Sequence, residues 1–297
     1  MSKRTMGNLM LLLGAMIWGA AFVAQSVGME YVEPFTFQAS RCLLGSLVLL
    51  PVIAVLDRRG NEKKPASPAD RKFLLLSGLG CGVLLFAACS LQQLGLLYTT
   101  AGKSGFITSL YIILVPIAGL LFHRKVKPWI WGSVALAVAG LYLLCGSRDF
   151  SIGKGELLTL GCAVAFTFHI LLIDRVSPQV DGVRLSCIQF FVCGVISLVF
   201  MACLEEPHWD AILQCWLPIG YAGILSSGVA YTFQIIGQAH TEPTVASLLM
   251  SLESVFAVIF GWLLLHQALS GPELLGCALV FTGVILAQLP GKQQAAC

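Results

Sequence analysis

Residues 88–121, ACSLQQLGLLYTTAGKSGFITSLYIILVPIAGLL, and residues 230–263, AYTFQIIGQAHTEPTVASLLMSLESVFAVIFGWL, align without a gap at an offset of 142. Nine positions are identical: Ala88/Ala230, Gln92/Gln234, Gly95/Gly237, Thr99/Thr241, Ser109/Ser251, Leu110/Leu252, Ile117/Ile259, Gly119/Gly261 and Leu121/Leu263. Shared Leu and Gly content does not account for that density. Working outward, an offset of 148 pairs Gly7 with Gly155, Ala15 with Ala163, Trp18 with Phe166 and Arg41 with Gln189. An offset of 144 pairs Pro128 with Pro272 and Gly132 with Gly276. The chain therefore reads as two copies of one unit, residues 1–150 and 151–297.

The solvent for that unit is lipid. Of 297 residues, 57% are hydrophobic and only 11% charged, with a mean hydropathy of +0.86. Soluble domains carry about 25% charged residues, so this chain lacks the ionic surface to cover a water-soluble globule. The formal charge of +3 is too small to argue for a nucleic-acid partner. The cysteines sit in or beside apolar runs and form no CxxC or His/Cys cluster, so they read as small hydrophobes packed between helices. Lys3-Arg4 before an apolar run imitates a secretory signal. The run from Met6 to Gly28 is nevertheless long enough to span, and many like it follow, so it reads as an uncleaved first helix.

With about 20 apolar residues needed to cross a bilayer core, spans are predicted at 6–28, 34–56, 73–98, 100–122, 128–146, 154–174, 183–204, 213–238, 243–265 and 271–290. Lys3, Arg4, the 57–72 loop with Arg58, Arg59, Lys63, Lys64, Arg71 and Lys72, the turn with Arg124, Lys125 and Lys127, Arg175 and Lys292 fall on one side, cytoplasmic by the positive-inside rule. The other side holds Glu30, Glu33, Glu205, Glu206, Asp210 and Glu273, with Arg148 and Lys154 as exceptions. The expectation is an all-α polytopic protein of ten helices in the cytoplasmic membrane, both termini cytoplasmic.

Five helices per repeat is an odd number, so the second copy enters the membrane from the opposite side. Inverted repeats are the geometry of secondary transporters, whose two halves can exchange conformations around a midplane site. Residues Gly14, Ala15, Trp18 and Gly19, the Ile107-Thr108-Ser109-Leu110-Tyr111 run with Pro116, and Glu253-Ser254-Val255-Phe256-Ala257 with Gly261-Trp262 resemble the EamA family of the drug/metabolite transporter superfamily, over nearly the whole chain and twice. The resemblance implies a ten-helix carrier with a central cavity lined by helices 1, 3, 4, 6, 8 and 9, helices 5 and 10 peripheral, and amino acids, their derivatives or other metabolites as solutes, often exported. The fourth and ninth helices often end in Glu in that family, whereas His123 and His266 stand here. The ninth-helix Glu-Pro is Glu253-Ser254. These departures bear on ion coupling rather than on the family.

Candidate site residues follow from what lipid makes expensive. Glu253 lies about 15 Å into its helix at a rise of 1.5 Å per residue, near the midplane with its mate Tyr111. It reads as a substrate anchor or proton carrier, or as a structural carboxylate. Arg41 is either a snorkelling side chain or an inward carboxylate binder. A mid-depth Trp18 faces protein or cavity more readily than lipid, and with Phe166 could sandwich a solute or simply pack. Gln92 and Gln234 are symmetry mates at opposite depths, the first near the outer end of helix 3 and the second near the inner end of helix 8, and Tyr231, Gln234 and Gln238 share one face. They read as paired vestibules or gates, or as interhelical hydrogen-bonding groups. His169 is a packed polar residue or a proton relay.

Gly102-Lys103-Ser104-Gly105 is no P-loop, since Leu97 occupies the required Gly position, and no facing His makes it a serine protease. Together these readings predict a gradient-driven transporter of a small organic solute, with a proton as candidate coupling ion and no cofactor. The competing class is a membrane-embedded enzyme or receptor-like protein.

Overall fold

The computed structural model describes residues 2–59, 65, 67–99, 101–121, 126–144, 153–265 and 270–288. Readings that rest on Lys63, Lys64, His123, Arg124, Lys125, Arg148, His266 and Lys292, or on the side chain of Lys103, lie outside the described residues. Among those described, all regular structure is helical. Nine helices are long and apolar enough to cross a bilayer, and Pro128–Leu143 is a shorter apolar helix. In chain order the spans are α1 (Lys3–Gly28), α2 (Pro34–Arg58), α3 (Pro68–Leu96), α4 (Ala101–Ser109 and Tyr111–Leu121) and α5 (Pro128–Leu144). They continue with α6 (Lys154–Val176), α7 (Gly182–Leu204), α8 (Trp216–Gly220, Tyr221–Ala230 and Tyr231–Gln238), α9 (Pro243–Met250 and Leu252–Leu265) and α10 (Gly271–Gln288). This is an all-α polytopic membrane protein.

Helix starts obey local chemistry. Ser67 caps α3 reciprocally with Asp70, and Pro68 occupies the first turn, where its missing N–H costs nothing. That box sets the start of α3 at Pro68 rather than at residue 73, where hydropathy alone puts it. The span predicted from 213 begins at Trp216, because Trp209–Gln214 forms a separate short helix. Glu205, at the end of α7, accepts from Phe35 N, Thr36 N and Thr36 Oγ1, each at 2.7 Å, so it closes the first turn of α2.

Two spans expected to be continuous are broken, at positions one residue apart in the repeat alignment. Helix α4 is interrupted at Leu110 and α9 at Ser251. In α4, Leu110 N donates to Ile107 O at 3.1 Å and Ile113 N to Leu110 O at 2.9 Å, bonds that tighten the backbone at the interruption. In α9, Ser251 Oγ donates to Leu248 O at 2.8 Å, and this back-bonding competes with the helical ladder. A π-helical stretch, Tyr221–Ala230, replaces regular helix in the middle of α8. Such stretches redirect side chains and often occur at functional sites.

Packing brings α2 against α7, α5 against α10, α3 against α6 and α7, and α1 against α8 and α9. Two close approaches use mated glycines. A Cβ added to Gly7 on α1 would lie 2.9 Å from Gly237 O on α8, and one added to Gly155 on α6 would lie 3.0 Å from Gly95 O on α3. Small residues let membrane helices approach this closely, with dispersion and polar contacts as the gain. Beside each crossing a mated threonine donates: Thr99 Oγ1 to Glu156 Oε1 at 2.6 Å, and Thr241 Oγ1 to Asn8 Oδ1 at 2.9 Å.

Candidate solute cavity

The interruptions of α4 and α9 meet in the interior of the bundle. Ser109 Oγ and Ser254 Oγ lie 2.9 Å apart, and Tyr111 Oη donates to Glu253 Oε1 at 3.1 Å. Both partners of the second bond are buried, Tyr111 at 4% exposure and Glu253 at 9%. The bond joins the two residues that the 142 offset makes equivalent. They line one cavity, together with residues of α1, α2, α3, α6 and α8.

Seven of the eight predicted site residues reach that cavity: Trp18, Arg41, Gln92, Tyr111, Tyr231, Gln234 and Glu253. His169 does not. Its Nε2 lies 3.1 Å from Gln189 Oε1, and its ring stands edge-on to Phe166 and Tyr231, one layer behind the lining. A polar residue with a polar neighbour on the adjacent α7 has no need of the cavity, and this contact fits the packed alternative for His169. Cys89, Thr108, Ile170, Ser226 and Met250 also line the space and were not singled out from sequence. The repeat held the signal for four of these, because each is the mate of another lining residue.

Twelve of the fifteen lining residues form six mated pairs: Trp18/Phe166, Phe22/Ile170, Cys89/Tyr231, Gln92/Gln234, Thr108/Met250 and Tyr111/Glu253. Gln25, Arg41 and Ser226 stand outside the pairing. Arg41 also brings α2 into the lining, where the expected set had only helices 1, 3, 4, 6, 8 and 9. Helices α5 and α10 contribute nothing to it.

The walls are aromatic with a few fixed polar groups. Trp18 and Tyr231 pack edge to face with centroids 4.7 Å apart, and Phe190 supports Tyr231 from behind at 5.1 Å. Gln92 Nε2 donates to Thr108 Oγ1 at 3.2 Å, and Gln234 Nε2 to Gln238 Oε1 at 3.0 Å. Trp18 Nε1, Gln25 Oε1, Arg41 Nε and Gln234 Oε1 are buried with no protein partner. Buried polar atoms are nearly always hydrogen-bonded, so four such atoms on one lining mark a surface built for polar contact. The free volume, about 50 Å³, suits a few waters and is too small for an organic solute. Among the described residues no cluster of His, Cys, Asp and Glu could hold a metal ion.

Comparison with known proteins agrees with this architecture. The sequence profile of the EamA-like transporter family matches twice, over residues 5–146 and 153–289. An uncharacterized transporter of Archaeoglobus fulgidus is 30% identical over 97% of this chain and 87% of its own length. The uncharacterized inner membrane transporter YedA of Escherichia coli is 24% identical over 92% and 87% respectively. The WAT1-related protein At3g02690, chloroplastic, of Arabidopsis thaliana is 26% identical over 92% and 67%. One solved crystal structure shares the fold with a TM-score of 0.78 at 20% identity, covering 95% of this chain and 96% of that one. The chain belongs to the EamA-like transporter family.

Proposed function

We propose that this chain is a secondary transporter that carries a small organic solute across the cytoplasmic membrane by alternating access, in the central cavity between two inverted five-helix halves. The observation that carries this reading is the pairing of the lining: six mated pairs surround one buried space. A cavity built from equivalent positions of two opposed halves can be opened from either side by exchanging the conformations of those halves. The helix contacts support it, since α1 on α8 mirrors α6 on α3. Amino acids, their derivatives and other metabolites are the solutes, and export is the direction the family resemblance favours. Glu253, hydrogen-bonded to Tyr111 in the middle of the lining, is the group that binds solute or carries a coupling proton. The inner-membrane name of one relative supports the cytoplasmic membrane as the location, and the clustering of Lys and Arg on one side supports cytoplasmic termini.

The test is counterflow in sealed proteoliposomes. A carrier exchanges labelled solute against unlabelled solute, which an enzyme or receptor does not. Alternation itself is read from single cysteines at positions 92 and 234 on a cysteine-free background. A transported ligand that favours one face shifts the equilibrium by its differential affinity, so labelling should rise at one position and fall at the other. Parallel changes at both positions would sink the gate role of the two glutamines.

A further inference from the structure

Arg41 is the charged lining residue that the symmetry of the cavity does not explain. Its mate is Gln189, which lies outside the lining and interacts with His169. Arg41 is 3% exposed, lines the cavity, and its Nε has no hydrogen-bond partner. Its titratable neighbours are the thiols of Cys42, Cys89 and Cys193 and the phenol of Tyr231, none of them a carboxylate. It takes part in no ion pair with a described residue, whereas the half-buried guanidinium of Arg184 is held by Asp57 and Asp181. A cation at membrane depth is costly unless it is paired, and the protein holds this one with nothing opposite it but the cavity.

Resting on the transport reading above, we propose that Arg41 is the anchor for a carboxylate on the transported solute. A guanidinium presents two parallel N–H donors in the geometry of a carboxylate and binds it bidentately. A phosphate offers similar oxygens, but it brings nearly two negative charges to a lining whose charged residues are Arg41 and Glu253. One guanidinium balances one carboxylate, and a second negative charge would be left facing Glu253. The aromatic walls of Trp18, Tyr231 and Phe166 suit an apolar or planar body behind that carboxylate. Symmetric pairs shape the space and the lone unmated cation selects what enters it.

The experiment uses the full chain in proteoliposomes loaded with a panel of 2-amino, 2-oxo and 2-hydroxy acids, each beside its primary amide, together with inorganic phosphate. Exchange is read by mass spectrometry for the parent, Arg41→Lys and Arg41→Gln. At least one acid should exchange about tenfold or more faster than its amide, the order expected for one charge-assisted contact. Arg41→Gln should abolish that preference and Arg41→Lys keep part of it. Equal exchange of acids and amides, exchange of phosphate alone, or an Arg41→Gln rate within twofold of the parent overturns the assignment. If Arg41→Gln fails to fold, phenylglyoxal modification of Arg41 in the parent decides: protection by the exchanged acid and not by its amide supports the anchor, and equal modification with either overturns it. A cell-metabolite extract run in parallel separates the two readings. Exchange confined to solutes without a carboxylate refutes the anchor and leaves the transporter, whereas no exchange from panel or extract refutes the transporter.

Discussion

Positions identical between the halves and positions that differ do different work. Gly7 and Gly155, Gly95 and Gly237, and Thr99 and Thr241 are identities, and they sit where α1 crosses α8 and α6 crosses α3. Of the six mated pairs around the cavity, only Gln92/Gln234 is an identity; the other five have diverged, from Trp18/Phe166 to Tyr111/Glu253. Crossings tolerate little change, because an added methyl group meets backbone at about 3 Å and a packed interior does not yield cheaply. A cavity wall has free space on one side, so its residues can change without a clash. Identity therefore marks the scaffold and divergence marks the chemistry.

The largest effect expected from that division is at its most diverged pair. Glu253→Gln keeps the shape and the hydrogen bond from Tyr111 while removing the carboxylate. Counterflow should fall by at least about tenfold, as for loss of a charged partner in a desolvated site, with the thermal midpoint of the purified protein close to that of the parent. Tyr111→Phe removes one neutral donor, worth about 1 kcal/mol, and should reduce counterflow severalfold. Transport by Glu253→Gln at the parent's rate from pH 6 to 8 would falsify the role given to this carboxylate.

Scaffold positions invert the pattern. Gly7→Ala and Gly155→Ala each push a methyl carbon to about 3 Å from a backbone carbonyl on the facing helix. Overpacking of this kind costs about 1–3 kcal/mol, so both variants should melt earlier in detergent, by similar amounts. Because the lining is untouched, folded protein should retain its solute preference. Different losses for the two glycines would mean that the crossings are not equivalent, whatever their alignment.

The division also says what could be read without coordinates. The all-helical, membrane-spanning character was legible, because apolar length is a property of the chain itself, and seven of the eight residues picked from sequence lie on one cavity. Depth arithmetic placed Glu253 and Tyr111 together, and their hydrogen bond agrees. The breaks at Leu110 and Ser251 and the π-helical stretch before Tyr231 were not legible. They show as local changes in backbone hydrogen bonding, such as Ile113 N to Leu110 O and Ser251 Oγ to Leu248 O, none of which alters hydropathy. The two alternatives for His169 stayed open in the sequence for a related reason: its partner Gln189 lies on a different helix, and helical periodicity cannot say which neighbour a polar side chain finds.

The smallest effect tests the comparison most sharply. Thr99 on α3 and Thr241 on α8 donate to acceptors of different chemistry, the Glu156 carboxylate at 2.6 Å and the Asn8 amide oxygen at 2.9 Å. Hydrogen bonds between membrane helices average about 0.6 kcal/mol, while bonds to an ionised acceptor are about twice as strong as neutral ones. Thr99→Val and Thr241→Val preserve volume and remove the donor. Both should lower stability only slightly, Thr99→Val by the larger amount because the bond it removes is to a carboxylate. Adding Glu156→Gln should bring the first crossing down to the level of the second, since both would then rest on a neutral amide oxygen. Double-mutant cycles in unfolding by denaturant measure each coupling separately. If the two couplings are equal with Glu156 intact, the acceptor's charge contributes nothing at the membrane edge, and the two crossings differ in sequence but not in energy.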